Sequence, residues 1–179
     1  MTRIQFLHAV YRTIADRRII AARRGTTSLE LALIFPFMMV LFFGCVETTQ
    51  LVRVFMGLGV GTQAMADLLS HGDPDTAAQV SDACNGAKLV MAPFSAGTFK
   101  AAISSVANTA GVIAINWVDV TCGTATPMLN AISLGSAMVP NAGDQVIIVQ
   151  TSYVYTAATS YVLPASYTLS QLAYARPRL

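Results

Sequence analysis

The sequence predicts an α+β protein, with a long N-terminal transmembrane helix continuing into a small C-terminal domain of helices and a short antiparallel sheet. Three observations carry that prediction. No charged residue occurs from Leu31 to Val46. Beyond that run, Leu51, Val54, Phe55, Leu58, Met65, Leu68 and Leu69 recur near the helical period. Further on, "VIAINWVDVTC" (112–122) and "QVIIVQTSYVYT" (145–156) are dense in β-branched and aromatic residues, as strands are.

The N-terminal segment, residues 1–25, is basic. Six of the eleven Lys+Arg (Arg3, Arg12, Arg17, Arg18, Arg23 and Arg24) precede residue 25, with Asp16 as the sole acid there. Five basic and eight acidic residues follow Gly25, so the pI of 8.5 describes the leader and does not point to nucleic acid. The chain is 54% hydrophobic and only 11% charged, with a mean hydropathy of +0.56. Soluble domains carry charge on about a quarter of their residues.

Residues 26–70 read as one helix. Its first part is long enough, at about 1.5 Å per residue, to cross a hydrocarbon core of roughly 30 Å. Glu30 stands at the end of the apolar run, near the headgroups, where a carboxylate costs less than the roughly 2.5–3.5 kcal/mol of the bilayer centre. Positive charge collects on the cytoplasmic side, so the N-terminus is expected inside and residues beyond about 47 outside, in a single pass. Pro36 lacks an amide hydrogen and crowds the preceding turn, which predicts a kink or a local loosening. Gly57, Gly59 and Gly61 weaken the helix and imply close packing or a bend. The helix is expected to end near Ser70, with Gly72 as its C-terminal cap.

Residues 71–179 form the expected extracytoplasmic α+β domain. Asp73 and Pro74 suit the N-cap and first position of a second helix over Thr76–Leu89. Thr98–Ala110 reads as a helix or a loop. The two strands follow, separated by "TPMLNAISLGSAMVPNAG" as a long loop with at most a helical turn. Tyr161–Leu172, which contains Pro164, reads as an edge strand or irregular chain. Trp117 reads as core, Arg176 and Arg178 as a solvated tail, and the scattered aspartates as caps and turns. Cys84 and Cys122 have no metal-ligand spacing. Outside the cytoplasm they are either a disulfide, worth about 4 kcal/mol in the chain-entropy account, or two buried thiols.

No nucleophile–base pair, phosphate-binding loop, metal cluster or cofactor motif emerges from only two histidines, His8 and His71. The expectation is therefore a non-enzymatic chain without catalytic residues, metal or cofactor. The end of the apolar run, "FFGCVE", has Phe42 and Phe43 where a secretory cleavage site wants small residues. It also leaves open a lipidated Cys45.

The stretch "RRGTTSLELALIFPF" (23–37) places glycine after two arginines and glutamate five residues later at the head of an apolar helix. This resembles the prepilin-peptidase site of type IV pilin-like proteins. With Gly25, Glu30, Ala32, Pro36, Gly44 and Glu47 together, it resembles the TadE-like family of the tight-adherence (Tad/Flp) pilus machinery. Leu31 departs from the aromatic that usually follows the glutamate. The resemblance covers residues 23–47 and is faint beyond.

The resemblance implies a pilin-like fold and a minor pseudopilin. Its partners would be a prepilin peptidase, other pilins or pseudopilins, the inner-membrane platform proteins and the membrane itself. The peptidase would cut between Gly25 and Thr26 at the cytoplasmic face of a bacterial inner membrane. The Glu30 carboxylate would then pair with the new α-amino group of Thr26, on the same or an adjacent subunit, and the C-terminal domain would be periplasmic. The contrasting expectation is a single-pass, or Cys45-lipidated, anchored extracytoplasmic binding domain.

Overall fold

The computed structural model describes residues 3–71, 76–157 and 164–178, with side chains described from Gly25 onward. Helix α1 spans Arg3–Ser70 and is followed by α2 (Ala77–Val90), β1 (Lys100–Thr109), β2 (Val112–Asp119), α3 (Ala131–Gly135), β3 (Gln145–Thr156) and β4 (Ser166–Ala175). Compactness divides the chain into two units, Met1–Val46 and Glu47–Leu179.

In the first unit, the described residues of α1 are apolar on every side. Leu31, Leu33 and Phe37 are 66%, 70% and 71% exposed, and Ile34, Phe35, Met38, Val40, Leu41 and Phe42 are exposed as well. Among the described residues, one charge-poor helical stretch, near the N-terminus and within Gly25–Ser70, is long and apolar enough to cross a membrane. The helix runs through Pro36, which removes the hydrogen bond that the Ala32 carbonyl would otherwise accept.

In the second unit, α1 changes character. Glu47, Val54, Leu58, Thr62, Met65 and Leu69 are buried at spacings of seven, four, four, three and four residues, with half-buried Leu51 filling the first gap. That is the stripe of a helix lying on a core. The expected division after Ser70 follows the end of α1, whereas compactness places the break at Val46, because this stripe belongs to the core of the second unit.

The core has two layers on one sheet. The four strands are antiparallel in the order β2-β1-β3-β4. On one face, Ile103, Ile147, Val149, Tyr153 and Ala173 pack with α1 and with Val80, Ala83, Ala87 and Met91 of the α2 region. On the other, Ala102, Val106, Val146 and Ile148 pack with Met128, Ala131 and Val139 of the segment around α3. α2 crosses α1 closely, since a Cβ at Gly61 would lie 3.2 Å from the Ala87 carbonyl oxygen and one at Gly57 would lie 3.9 Å from Met91 Sδ. Close packing is therefore what Gly61 serves, whereas a side chain at Gly57 would make only ordinary contact.

Cys84 and Cys122 are joined, with Sγ–Sγ 2.03 Å and Cα–Cα 5.9 Å, which ties α2 to the turn after β2. That turn is tight. Gly123 has φ +72°, and a Cβ there would collide with the Phe99 carbonyl oxygen. The Ala101 amide donates to the Cys122 carbonyl at 2.9 Å and seats the turn beside β1.

The expectation for Thr98–Ala110 is corrected, because Lys100–Thr109 is a central strand. It enters a hairpin at Ala110–Gly111, where φ is +54° and +87°, as the two-residue turn suited to sheet twist requires. Gly111 N–H donates to Asn108 Oδ1 at 2.9 Å and fixes the turn. The segment Tyr161–Leu172 is strand from Ser166, while Tyr161–Leu163 lie outside the described residues. Gly72, Asp73 and Pro74, expected to cap the helices on either side, also lie outside them.

Candidate functional site

Gly25, Thr26 and Glu30 lie on α1, and all three are exposed. A side chain added at Gly25 would meet nothing within 4 Å. Residue 30 lies one turn beyond residue 26, and helical side chains lean toward the N-terminus. The Glu30 carboxylate therefore belongs over the backbone of Thr26, where cleavage after Gly25 would create an amine. A protease takes its substrate extended, so cleavage here would first require this bond to leave the helix. Glycine lowers helix stability by about 1 kcal/mol relative to alanine, which makes Gly25 the cheapest point in its neighbourhood to unwind. From Thr26 to Val46 the helix measures about 31 Å at 1.5 Å per residue, which matches the hydrocarbon core. Cys45 is exposed and stands outside the disulfide.

The second unit holds a carboxylate whose placement sequence reasoning did not assign. Glu47 is 2% exposed. It acts electrostatically on Tyr155 of β3. Burial raises the Tyr155 phenol above its ordinary range, and the charges of Glu47 and Tyr153 add to that rise. The signal was present in the sequence, since residue 47 falls on the same stripe as 51, 54 and 58, so an acid there is carried into the core. A second buried polar link joins α1 to β3. Thr62 Oγ1 donates its single hydrogen to the Leu58 carbonyl at 2.6 Å, so Thr151 Oγ1 donates to Thr62 Oγ1, also at 2.6 Å.

The C-terminal arginines are not a free tail. Arg178 N–H donates to the Ser70 carbonyl at 2.9 Å. Its guanidinium donates to His71 Nε2 at 3.2 Å and lies 3.7 Å from Asp67 Oδ1. Arg176 Nη2 donates to the Met138 carbonyl at 2.8 Å. These contacts draw the chain after β4 against the end of α1 and the segment after α3. A cavity of about 410 Å³ opens there, lined by Gln63, Asp67 and Ser70 of α1 and by Leu172, Tyr174 and Arg176.

Two further aspartates hold turns. Asp119 Oδ1 accepts from the backbone and hydroxyl of Thr121, and Asp144 Oδ2 accepts from the backbone of Asn141. Trp117 is half-buried and packs against the core on the α1 face.

Comparison with protein families, with curated proteins and with solved structures finds no match for this chain. The functional reading therefore rests on the residues themselves.

Proposed function

We propose that this chain is a pseudopilin-like structural subunit of a Tad/Flp-type pilus assembly system, similar to the TadE-like family. In this reading it is cut by a prepilin peptidase between Gly25 and Thr26, and it acts through helix–helix packing in the inner membrane. One observation carries the reading. A carboxylate stands one turn past a glycine, at the head of an apolar helix that the rest of the first unit leaves exposed on all sides.

An unpaired amine and an unpaired carboxylate are both costly at low dielectric, and together they cost far less. A subunit whose amine is met by Glu30, its own or a neighbour's, is thereby registered in an assembly. The six early arginines favour a cytoplasmic leader, and the disulfide suits a periplasmic second unit.

Mass spectrometry of the chain purified from cells that express the whole assembly locus tests the reading. The expected mature N-terminus is Thr26, and Gly25→Leu should leave the leader attached. Glu30→Ala should still be processed and inserted but should lose assembly. An intact leader in the native strain, or a diacylated Cys45, would overturn the proposal and favour an anchored binding domain.

A further inference from the structure

The two edges of the sheet are defended unequally. β2, at one edge, carries Asp119, and a bulge interrupts its register with β1 between Ser105 and Val106. β4, at the other, runs ten residues in unbroken register with β3 and contains neither a charge nor a proline. Natural edge strands are usually blunted by such features, because an open edge is a template for another strand.

The direction of the open groups can be worked out. Ala157 N–H donates to the Ala165 carbonyl, which makes 157 and 165 a hydrogen-bonded pair at the start of the ladder. Antiparallel pairs alternate. Tyr167, Leu169, Gln171, Ala173 and Ala175 therefore turn their backbone groups toward β3. Thr168, Ser170, Leu172 and Tyr174 turn theirs outward, where no described strand meets them.

The cavity described above flanks the second half of this edge, and Arg176 and Arg178 stand at its end with 69% of the Arg178 side chain exposed. We propose that the free edge of β4 docks an extended segment of a partner protein. The segment adds as a fifth, antiparallel strand, and carboxylates at its N-terminal end meet Arg176 and Arg178.

A second copy fits less well in either direction. Gln171 lies against Gly59 and Arg178 against Ser70, so β4 runs alongside α1 in the same direction. Antiparallel pairing of two β4 strands would set the arginines of each copy beside the other's Ser166–Thr168, which carries no carboxylate to meet them. Parallel pairing would align like-charged arginines, which repel. An acidic partner segment meets neither obstacle.

The test uses the full chain in detergent micelles and a fluorescent peptide, acetyl-Asp-Glu-Val-Thr-Val-Thr-Val-Thr-amide, followed by polarisation. Saturable binding is expected. Ser170→Pro removes one outward N–H without touching a bond to β3, and it should weaken binding at least tenfold, on the order expected for losing the strand register. N-methylation of alternate peptide residues should do the same with the protein unchanged, which covers the case in which the proline variant misfolds. Arg176→Glu with Arg178→Glu should cost roughly tenfold and be rescued by a Lys-Lys peptide. Equal binding by the N-methylated peptide overturns the proposal. So does a concentration-dependent dimer that Ser170→Pro abolishes, since the occupant would then be a second copy. Neither readout depends on cleavage at Gly25, so the two proposals fail separately.

Discussion

Two stretches of α1 have similar apolar content and opposite surroundings. Between Leu29 and Val46, large side chains on every side of the helix are exposed within their unit. Between Glu47 and Ser70, the same kinds of side chain divide into a buried stripe (Val54, Leu58, Met65, Leu69) and an exposed one (Val52, Met56, Val60). Apolarity alone therefore does not say what a helix packs on; its angular distribution does. An all-round apolar helix needs an apolar solvent or other helices, and a striped one needs a sheet. The second stretch also carries polar groups on its buried face: Glu47, whose charge raises the Tyr155 phenol of β3, and Thr62, which accepts from Thr151 Oγ1.

The largest expected effect breaks the second region and spares the first. Replacing Cys84 and Cys122 by serine opens a 38-residue loop, which should lower stability by about 4 kcal/mol. The thermal midpoint of the second unit, followed by near-UV circular dichroism in micelles, should fall accordingly, while carbonate-resistant membrane association is unchanged. Loss of both together would mean that the two regions do not depend on separate interactions.

A smaller effect compares leucines on one helix. Leu58 is fully buried, and Leu58→Ala should cost about 3 kcal/mol of unfolding free energy. Leu33 is exposed, and Leu33→Ala should change only insertion, by about 0.5 kcal/mol on the membrane scale. Equal effects on unfolding would show that Leu33 is covered in the folded protein, and the contrast between stretches would collapse.

The features that were legible in the sequence are those with one dominant signal. The apolar run, the helical stripe to Ser70 and the β-branched strand Gln145–Thr156 each stand out from their neighbours. β1 did not, for a physical reason. Its residues 101–106 are buried on both faces between two core layers, so no polar alternation marks it, and small Ala and Ser residues fill the space. Alanine there reads as helix by propensity, and tertiary packing overrides that preference. The hairpin turn Ala110–Gly111 lacks the Asn-Gly or Asp-Gly pair that advertises such turns. The candidate site divides in the same way. Gly25 and Glu30 are neighbours in sequence and could be read as a pair. The Arg178 contacts to Asp67, Ser70 and His71 link residues more than a hundred positions apart, and no local pattern encodes them.

The smallest effect concerns the buried acid at the beginning of the second unit. Tyr155 is 8% exposed, and its phenol is raised above the ordinary value by burial, then by Glu47 and Tyr153. A raised value in the fold means that the folded chain holds the proton more tightly than the unfolded chain. The resulting stability is fully present below the unfolded value of about 10 and is lost as pH climbs through the folded one. Unfolding free energy measured in denaturant should therefore decline above pH 10. Tyr155→Phe should flatten part of that decline, since the group that must stay protonated is gone. Glu47→Gln should make the decline smaller and end it at lower pH, because one of the charges opposing the phenolate is removed and the folded value moves back toward the unfolded one. If the alkaline limb is identical in all three proteins, Glu47 does not act on Tyr155 in solution.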